Sequence, residues 1–181
     1  MAKNPKRVAA GKKAKRKGSS NELKLAKQFK AWWGKGEWAR TPASGGWSTK
    51  DNREGFRAVG DIMTTAVDFR YCIEAKKQEG WTLQQLLNNE KCIILDWWKQ
   101  AVEETPSFDM WTMLVFARNY VKPIVGLEYY EMDTDLKYNI RDRAFPTFTY
   151  QCSGFSPIFM ISLENLFKLD PKLFGKDEEE Q

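Results

Sequence analysis

The sequence predicts an α/β domain in which helices cover a mixed sheet. Three observations lead there: an amphipathic helix with a capping pattern at Ser19, a strand of strict alternation over residues 67–76, and the chain order helix, strands, helix, strands. The chain has 181 residues, of which 42% are hydrophobic and 14% aromatic, enough for one well-filled core.

The first helix is expected to open at Gly18, with Ser19-Ser20-Asn21-Glu22 as a capping box, and to run to about Trp33 before Gly34 and Gly36. Its inward stripe is Ala26, Phe29 and Trp33; one turn back, the same stripe meets Glu22. Trp38-Ala39-Arg40 is a short strand candidate, followed by a long turn-rich stretch from Thr41 to Gly60, of the length usual for functional or mobile loops. Asp61-Ile62-Met63 starts another strand, and Thr64-Thr65-Ala66 is a turn. From Val67 to Lys76, Val67, Phe69, Tyr71, Ile73 and Ala75 share one face. Asp68, Arg70, Cys72, Glu74 and Lys76 share the other. Thr82 to about Glu104 is helical, in one piece or two, with a Thr82/Gln85 capping pattern and a core stripe of Ile94, Trp97, Trp98 and Ala101. Strands follow at 111–116 and 124–130. Residues 131–157 are ambiguous apart from a strand near 147–150; a last strand at 158–161 leads into a helix over 162–169.

Composition removes whole classes of chemistry. There is no histidine, which excludes Ser-His-Asp and Cys-His triads, histidine-ligated zinc and histidine general bases. Cys72, Cys92 and Cys152 are odd in number and far apart, as suits a reducing compartment rather than a disulfide scaffold. No apolar run is long enough to cross a membrane, and the basic N-terminus lacks the apolar segment of a secretory signal. Any catalysis must therefore use carboxylates, lysines, hydroxyls or a metal held by oxygen.

Charge is unevenly spread. Eight of the 29 Lys and Arg fall in residues 1–17, including Lys12, Lys13, Lys15, Arg16 and Lys17, with no acidic residue among them. That leaves 21 basic against 24 acidic side chains in residues 18–181, a net −3. The expected organisation is a disordered basic arm over 1–17, one domain over 18–176 and an acidic tail over 177–181. The arm suits phosphate contacts on nucleic acid; a solubility or localisation segment is the plainer alternative.

Chemistry concentrates at four residues. Glu74 and Lys76 lie two apart on one strand face. A hairpin would bring Asp61 to the end bearing Glu74, and Glu22 would come from the helix packed over that sheet. Three gathered carboxylates repel one another unless a cation neutralises them, and an oxygen-only site suits Mg²⁺ or Mn²⁺. A neighbouring lysine orients a water or offsets phosphoryl charge. With a basic arm to hold a polyanion, the combination points to metal-assisted phosphodiester hydrolysis.

These residues carry a resemblance. Gly60-Asp61 followed by Ile73-Glu74-Ala75-Lys76 resembles the signature of the PD-(D/E)xK nucleases. The opening GSSNELKLAKQF and Arg40-Thr41-Pro42-Ala43-Ser44-Gly45-Gly46 are similar to archaeal Holliday junction resolvases and related phage endonucleases, over roughly residues 18 to 130. The resemblance implies a restriction-endonuclease-like αβββαβ core, Mg²⁺ dependence with Mn²⁺ able to substitute, and cleavage leaving 5′-phosphate and 3′-hydroxyl ends. It implies Asp61 and Glu74 as metal ligands, Lys76 as catalytic lysine, Glu22 as supporting carboxylate, and Arg40 and Ser44 as substrate-facing positions. It also implies DNA as partner, leaves room for a homodimer, and sets the protein in the cytoplasm at a nucleoid or in an infected cell. The sequence departs at Gly60, where the signature has proline, and in the length of the segment from Gly46 to Asp61, which bears on junction specificity.

Plainer readings stand beside these. Glu22 could serve only as a capping glutamate, Glu74 and Lys76 as an exposed ion pair, Asp61 as a turn aspartate, Arg40 and Ser44 as loop residues. Trp97 and Trp98 fit the core better than a base-stacking platform, and Cys72 reads as a packing residue. The expected function is a metal-dependent endonuclease on branched or structured DNA. The alternatives are an exonuclease or nicking enzyme on duplex, and a non-catalytic DNA-binding module of the same fold.

Overall fold

The computed structural model describes residues 5–42, 56–57, 59–88, 91–106, 110–151 and 154–175, with side chains from residue 18 onward. The element order is α1 (Pro5–Trp33), β1 (Trp38–Arg40), β2 (Ile62–Thr64), β3 (Tyr71–Lys77), α2 (Leu83–Leu87), α3 (Ile93–Glu104), β4 (Trp111–Ala117) and β5 (Ile124–Glu128). Then come α4 (Thr134–Asp142), β6 (Thr147–Tyr150), β7 (Ile158–Ser162), α5 (Leu163–Leu166) and a 3₁₀ turn, Pro171–Phe174. One seven-stranded sheet runs β1-β2-β3-β4-β5-β7-β6, with β3 and β4 parallel and every other pair antiparallel. The parallel pair needs a crossover, and α2 with α3 supplies it. The expected α/β class and αβββαβ core are present, extended by β5 to α5.

Side-chain alternation puts a core on each face of the sheet. Tyr71, Ile73 and Ala75 pack with Ala26, Phe29 and Trp33 of α1 and with Leu136 and Ile140 of α4. Leu114 and Phe116 of β4 pack instead with Ile94, Trp97 and Trp98 of α3. Residues in register on neighbouring strands share a face, and Glu74 pairs with Leu114, Lys76 with Phe116. Glu74 and Lys76 therefore lie on the α3 face. Trp97 and Trp98 are buried, as their helical spacing predicted.

Several boundaries differ from expectation, each for a local reason. The first helix begins at Pro5, not at Ser19, so the Ser19–Glu22 capping box does not form. The segment before it is rich in Ala, Lys and Arg, which propagate a helix, and Pro at its first position is compatible with helical φ. β3 starts at Tyr71; Val67 is exposed, because Thr64–Asp68 makes a wider turn than a tight hairpin would. The helical stretch divides as anticipated, and the Thr82 capping box is complete: Thr82 Oγ1 accepts from Gln85 N at 3.3 Å and Gln85 Oε1 from Thr82 N at 2.9 Å. Helix α4 falls within the ambiguous stretch, capped by Asp133 and buried through Leu136 and Ile140. Among the described residues no helix is long and apolar enough to cross a membrane.

Candidate functional site

Glycine sets the entry to the site. Gly60 has φ of 66°, a left-handed conformation, and a Cβ there would lie 2.5 Å from the Ile73 carbonyl oxygen and 3.0 Å from Cys72 Sγ. Proline, locked near −65°, is incompatible with this backbone. The departure from the nuclease signature is therefore built into the way the chain crosses β3.

That crossing fixes Asp61 by three hydrogen bonds. Its N–H donates to Ile73 O at 2.8 Å, its carbonyl accepts from Thr41 N at 2.9 Å, and its Oδ2 accepts from Ala75 N at 2.9 Å. The side chain thus docks on β3 beside Glu74. Glu74 is 6% exposed, and Lys76 Nζ donates to its Oε1 at 2.6 Å. Lys76 also donates to Gln100 Oε1 at 3.2 Å, and Gln100 Nε2 donates onward to Glu104 Oε1 at 2.8 Å. On the other face of the sheet, Arg40 Nη1 donates to Glu22 Oε2 and to Ser19 Oγ, each at 3.2 Å. Trp38 and Arg40 share a strand face, and Trp38 packs with α1, which is why Arg40 meets Glu22 there.

Electrostatics joins the two halves through Asp61. Burial pushes the Glu74 carboxyl up to about 7; the Asp61 charge adds to the rise, the Lys76 ammonium opposes it, and Glu104 raises it further. Glu22 is also raised, first by burial, with the Arg40 hydrogen bond opposing and Asp61 contributing. Both groups feel Asp61 and Lys76. Burial pushes the Cys72 thiol up to about 11, so it remains protonated near neutral pH and serves as packing.

The four predicted residues share one neighbourhood but not one cluster. Among the described residues, no three His, Cys, Asp or Glu side chains come close enough together to hold a metal ion. The expected three-carboxylate pocket is split: Asp61 and Glu74 meet at β3, while Glu22 lies across the sheet against Arg40. The reason is where α1 packs, on the face of Ile73 and Ala75 rather than that of Glu74. Lys76 and Arg40 each neutralise one glutamate, as a cation would between carboxylates. The donor set nonetheless fits a hard divalent ion, because it is carboxylate and carbonyl oxygen with no imidazole.

Ser44 lies outside the described residues, as do the side chains of Lys12, Lys13, Lys15, Arg16 and Lys17, whose backbone belongs to the first half of α1. The acidic tail, residues 177–181, is outside them too. Gln100 and Glu104 escaped the sequence reading. Their signal was the i, i+4 pair flanking the buried stripe of Trp97 and Ala101, which sets two solvent-exposed polar groups at the helix edge within reach of Lys76.

A family model described as "Phage putative PDDEXK endonuclease" matches residues 13–175. Neither the search of curated proteins nor the search of solved structures finds a match.

Proposed function

The chain belongs to this phage PDDEXK endonuclease family, and on that premise we propose that it hydrolyses DNA phosphodiester bonds with Mg²⁺, which Mn²⁺ can replace. The substrate is branched or otherwise structured DNA, in the manner of a Holliday junction resolvase. The single observation behind this reading is the convergence of Asp61, Glu74 and Lys76. The chain bends at Gly60 so that Asp61 docks on the backbone of Ala75, between Glu74 and Lys76. Burying Glu74 next to a second carboxylate costs the fold stability, which Lys76 offsets in part and a bound cation would offset further.

Asp61 and Glu74 would hold the ion, with Glu22 supporting from the other face through Asp61. A bound Mg²⁺ supplies Lewis acidity at a phosphoryl oxygen and makes a coordinated water more acidic. Lys76 keeps an ammonium at the carboxylate edge of the site, where it offsets charge on the attacked phosphate and orients the attacking water. Gln100, anchored by Glu104, gives that ammonium a second acceptor, so that Lys76 stays in place when Glu74 turns to a cation. Arg40 and Ser44 face the substrate, and the basic arm carrying Lys12, Lys13, Lys15, Arg16 and Lys17 neutralises phosphates away from the cut. Symmetric incision of a junction would use a two-fold homodimer. The setting is the cytoplasm, at a nucleoid or in an infected cell.

The test is cleavage of a four-way junction, a matched linear duplex and a covalently closed plasmid, each with and without Mg²⁺. The native chain cuts the junction only with metal, and Lys76→Ala binds it but leaves it whole. Degradation from duplex ends would indicate an exonuclease, and nicked plasmid alone a nicking enzyme. Binding that survives chelator with no cleavage in either Mg²⁺ or Mn²⁺ would make it a non-catalytic DNA-binding module.

A further inference from the structure

The turn joining β4 to β5 stands at the catalytic end of the sheet. Because β3 and β4 are parallel, their C-terminal ends coincide: Lys76 is in register with Phe116 and Lys77 with Ala117. Two further hydrogen bonds tie the chain after β3 to the chain after β4, Gln78 N to Ala117 O at 3.1 Å and Asn119 N to Glu79 Oε1 at 2.9 Å. The turn is also anchored at both shoulders. Arg118 lies over the Trp81 ring at 5.3 Å, and Val121 packs on the α3-side core.

At the crest of this held turn is Tyr120. Its relative exposure is 107%, while among the described residues the other exposed large hydrophobic side chains, Tyr130 and Tyr138 included, reach at most 68%. Its φ is 62°, the left-handed region that glycine and asparagine occupy at little cost and a bulky aromatic does not. The fold gains no ring contact from Tyr120 and carries a backbone penalty for it. Strain at a position without packing value points to contact with something outside the fold.

We propose that Tyr120 stacks on an unpaired base beside the strand being cut, an inference that rests on the nuclease reading above. A four-residue advance beyond Phe116 spans at most roughly 14 Å. A DNA strand advances about 3.4 Å per nucleotide and β3 lies roughly 5 Å from β4, so Tyr120 stands within about six nucleotides of the phosphate at Lys76. Stacking on an aromatic face tolerates any base, and it requires that the base be out of its duplex stack. Lys122, two residues beyond Tyr120, is available for a neighbouring phosphate: it is paired with Glu164 on the surface, where such pairs yield readily to a phosphate. A rigid turn presents the ring already aimed, which lowers the ordering cost of the contact. Tyr120 is thus the element that favours junctions, forks and bubbles over paired duplex.

Tyr120→Asn removes the ring while keeping a residue suited to the left-handed backbone; Tyr120→Phe keeps the ring. Binding of fluorescein-labelled fork and fully paired duplex of the same sequence is measured by anisotropy in chelator, with Tm alongside. Cleavage is then measured in Mg²⁺. Tyr120→Asn is expected to hold or raise Tm, to weaken fork binding at least roughly fivefold and to leave duplex binding within about twofold. Tyr120→Phe should match the native protein on both. Native fork binding by Tyr120→Asn would overturn the proposal, as would an equal loss on duplex, or a loss in Tyr120→Phe as large as in Tyr120→Asn. Because binding is read without metal, a native chain that never cuts DNA would refute the nuclease reading while still reporting whether Tyr120 grips unpaired bases.

Discussion

Glu74→Gln should make the metal-free protein more stable at alkaline pH and leave it unchanged in mild acid. Burial and the neighbouring Asp61 raise the Glu74 carboxyl from an ordinary 4.5 to about 7 in the folded chain. The folded state therefore holds the proton more tightly than the unfolded state. Glu74 contributes its full stability below about pH 4.5 and loses it as pH rises through about 7. At 1.36 kcal/mol for each unit of difference, ionised Glu74 costs the fold about 3 kcal/mol at pH 8. Glutamine has the shape of the protonated acid, still accepts from Lys76 and never ionises. In chelator at pH 8 the variant should exceed the native protein by about 3 kcal/mol, or roughly 6–12 °C in Tm for a chain of this size. At pH 4.5 the two should agree. Urea denaturation at pH 4.5, 6, 7 and 8 measures the difference directly, and saturating Mg²⁺ should narrow it at pH 8 by stabilising only the native chain. A gain that is absent at pH 8, or equally large in acid, would refute the claim that Glu74 is held ionised against its surroundings.

Three further outcomes follow from the same geometry. Gln100→Leu removes the second acceptor of Lys76, and single-turnover cleavage should fall about tenfold, with its pH profile shifted and DNA affinity unchanged. Gly60→Ala drives a Cβ to 2.5 Å from the Ile73 carbonyl oxygen in a left-handed backbone, so stability by urea denaturation should drop by about 2 kcal/mol or more, with activity lost in proportion to Asp61 displacement. Replacing Lys12, Lys13, Lys15, Arg16 and Lys17 together by alanine should reduce the slope of log affinity against log salt by roughly 3 to 4, as when about four of them meet phosphates. An unchanged slope would assign the arm another purpose.

Much of the candidate site was legible from one dimension because its signals are local. Alternation along β3 assigned Glu74 and Lys76 to one face and Ile73 and Ala75 to the other, and the register with β4 bears this out. The missing histidine narrows the chemistry by composition alone. Helical spacing identified Trp97 and Trp98 as core. α1 starts ahead of the Ser19–Glu22 capping pattern because the Ala-, Lys- and Arg-rich segment before it propagates the helix, which leaves both side chains to Arg40.

By itself the amino-acid order determined which side chains could do chemistry and on which side of a strand each would lie, since a period of two follows from backbone sterics. Only the folded chain decided how those side chains pair. It turned Gly60 left-handed where proline cannot follow, set Glu22 across the sheet from Glu74, brought Gln100 from a helix to Lys76, and lifted Tyr120 out of all packing. Those outcomes depend on the distance between groups far apart in the chain, and Coulomb and hydrogen-bond energies depend on that distance rather than on separation in sequence.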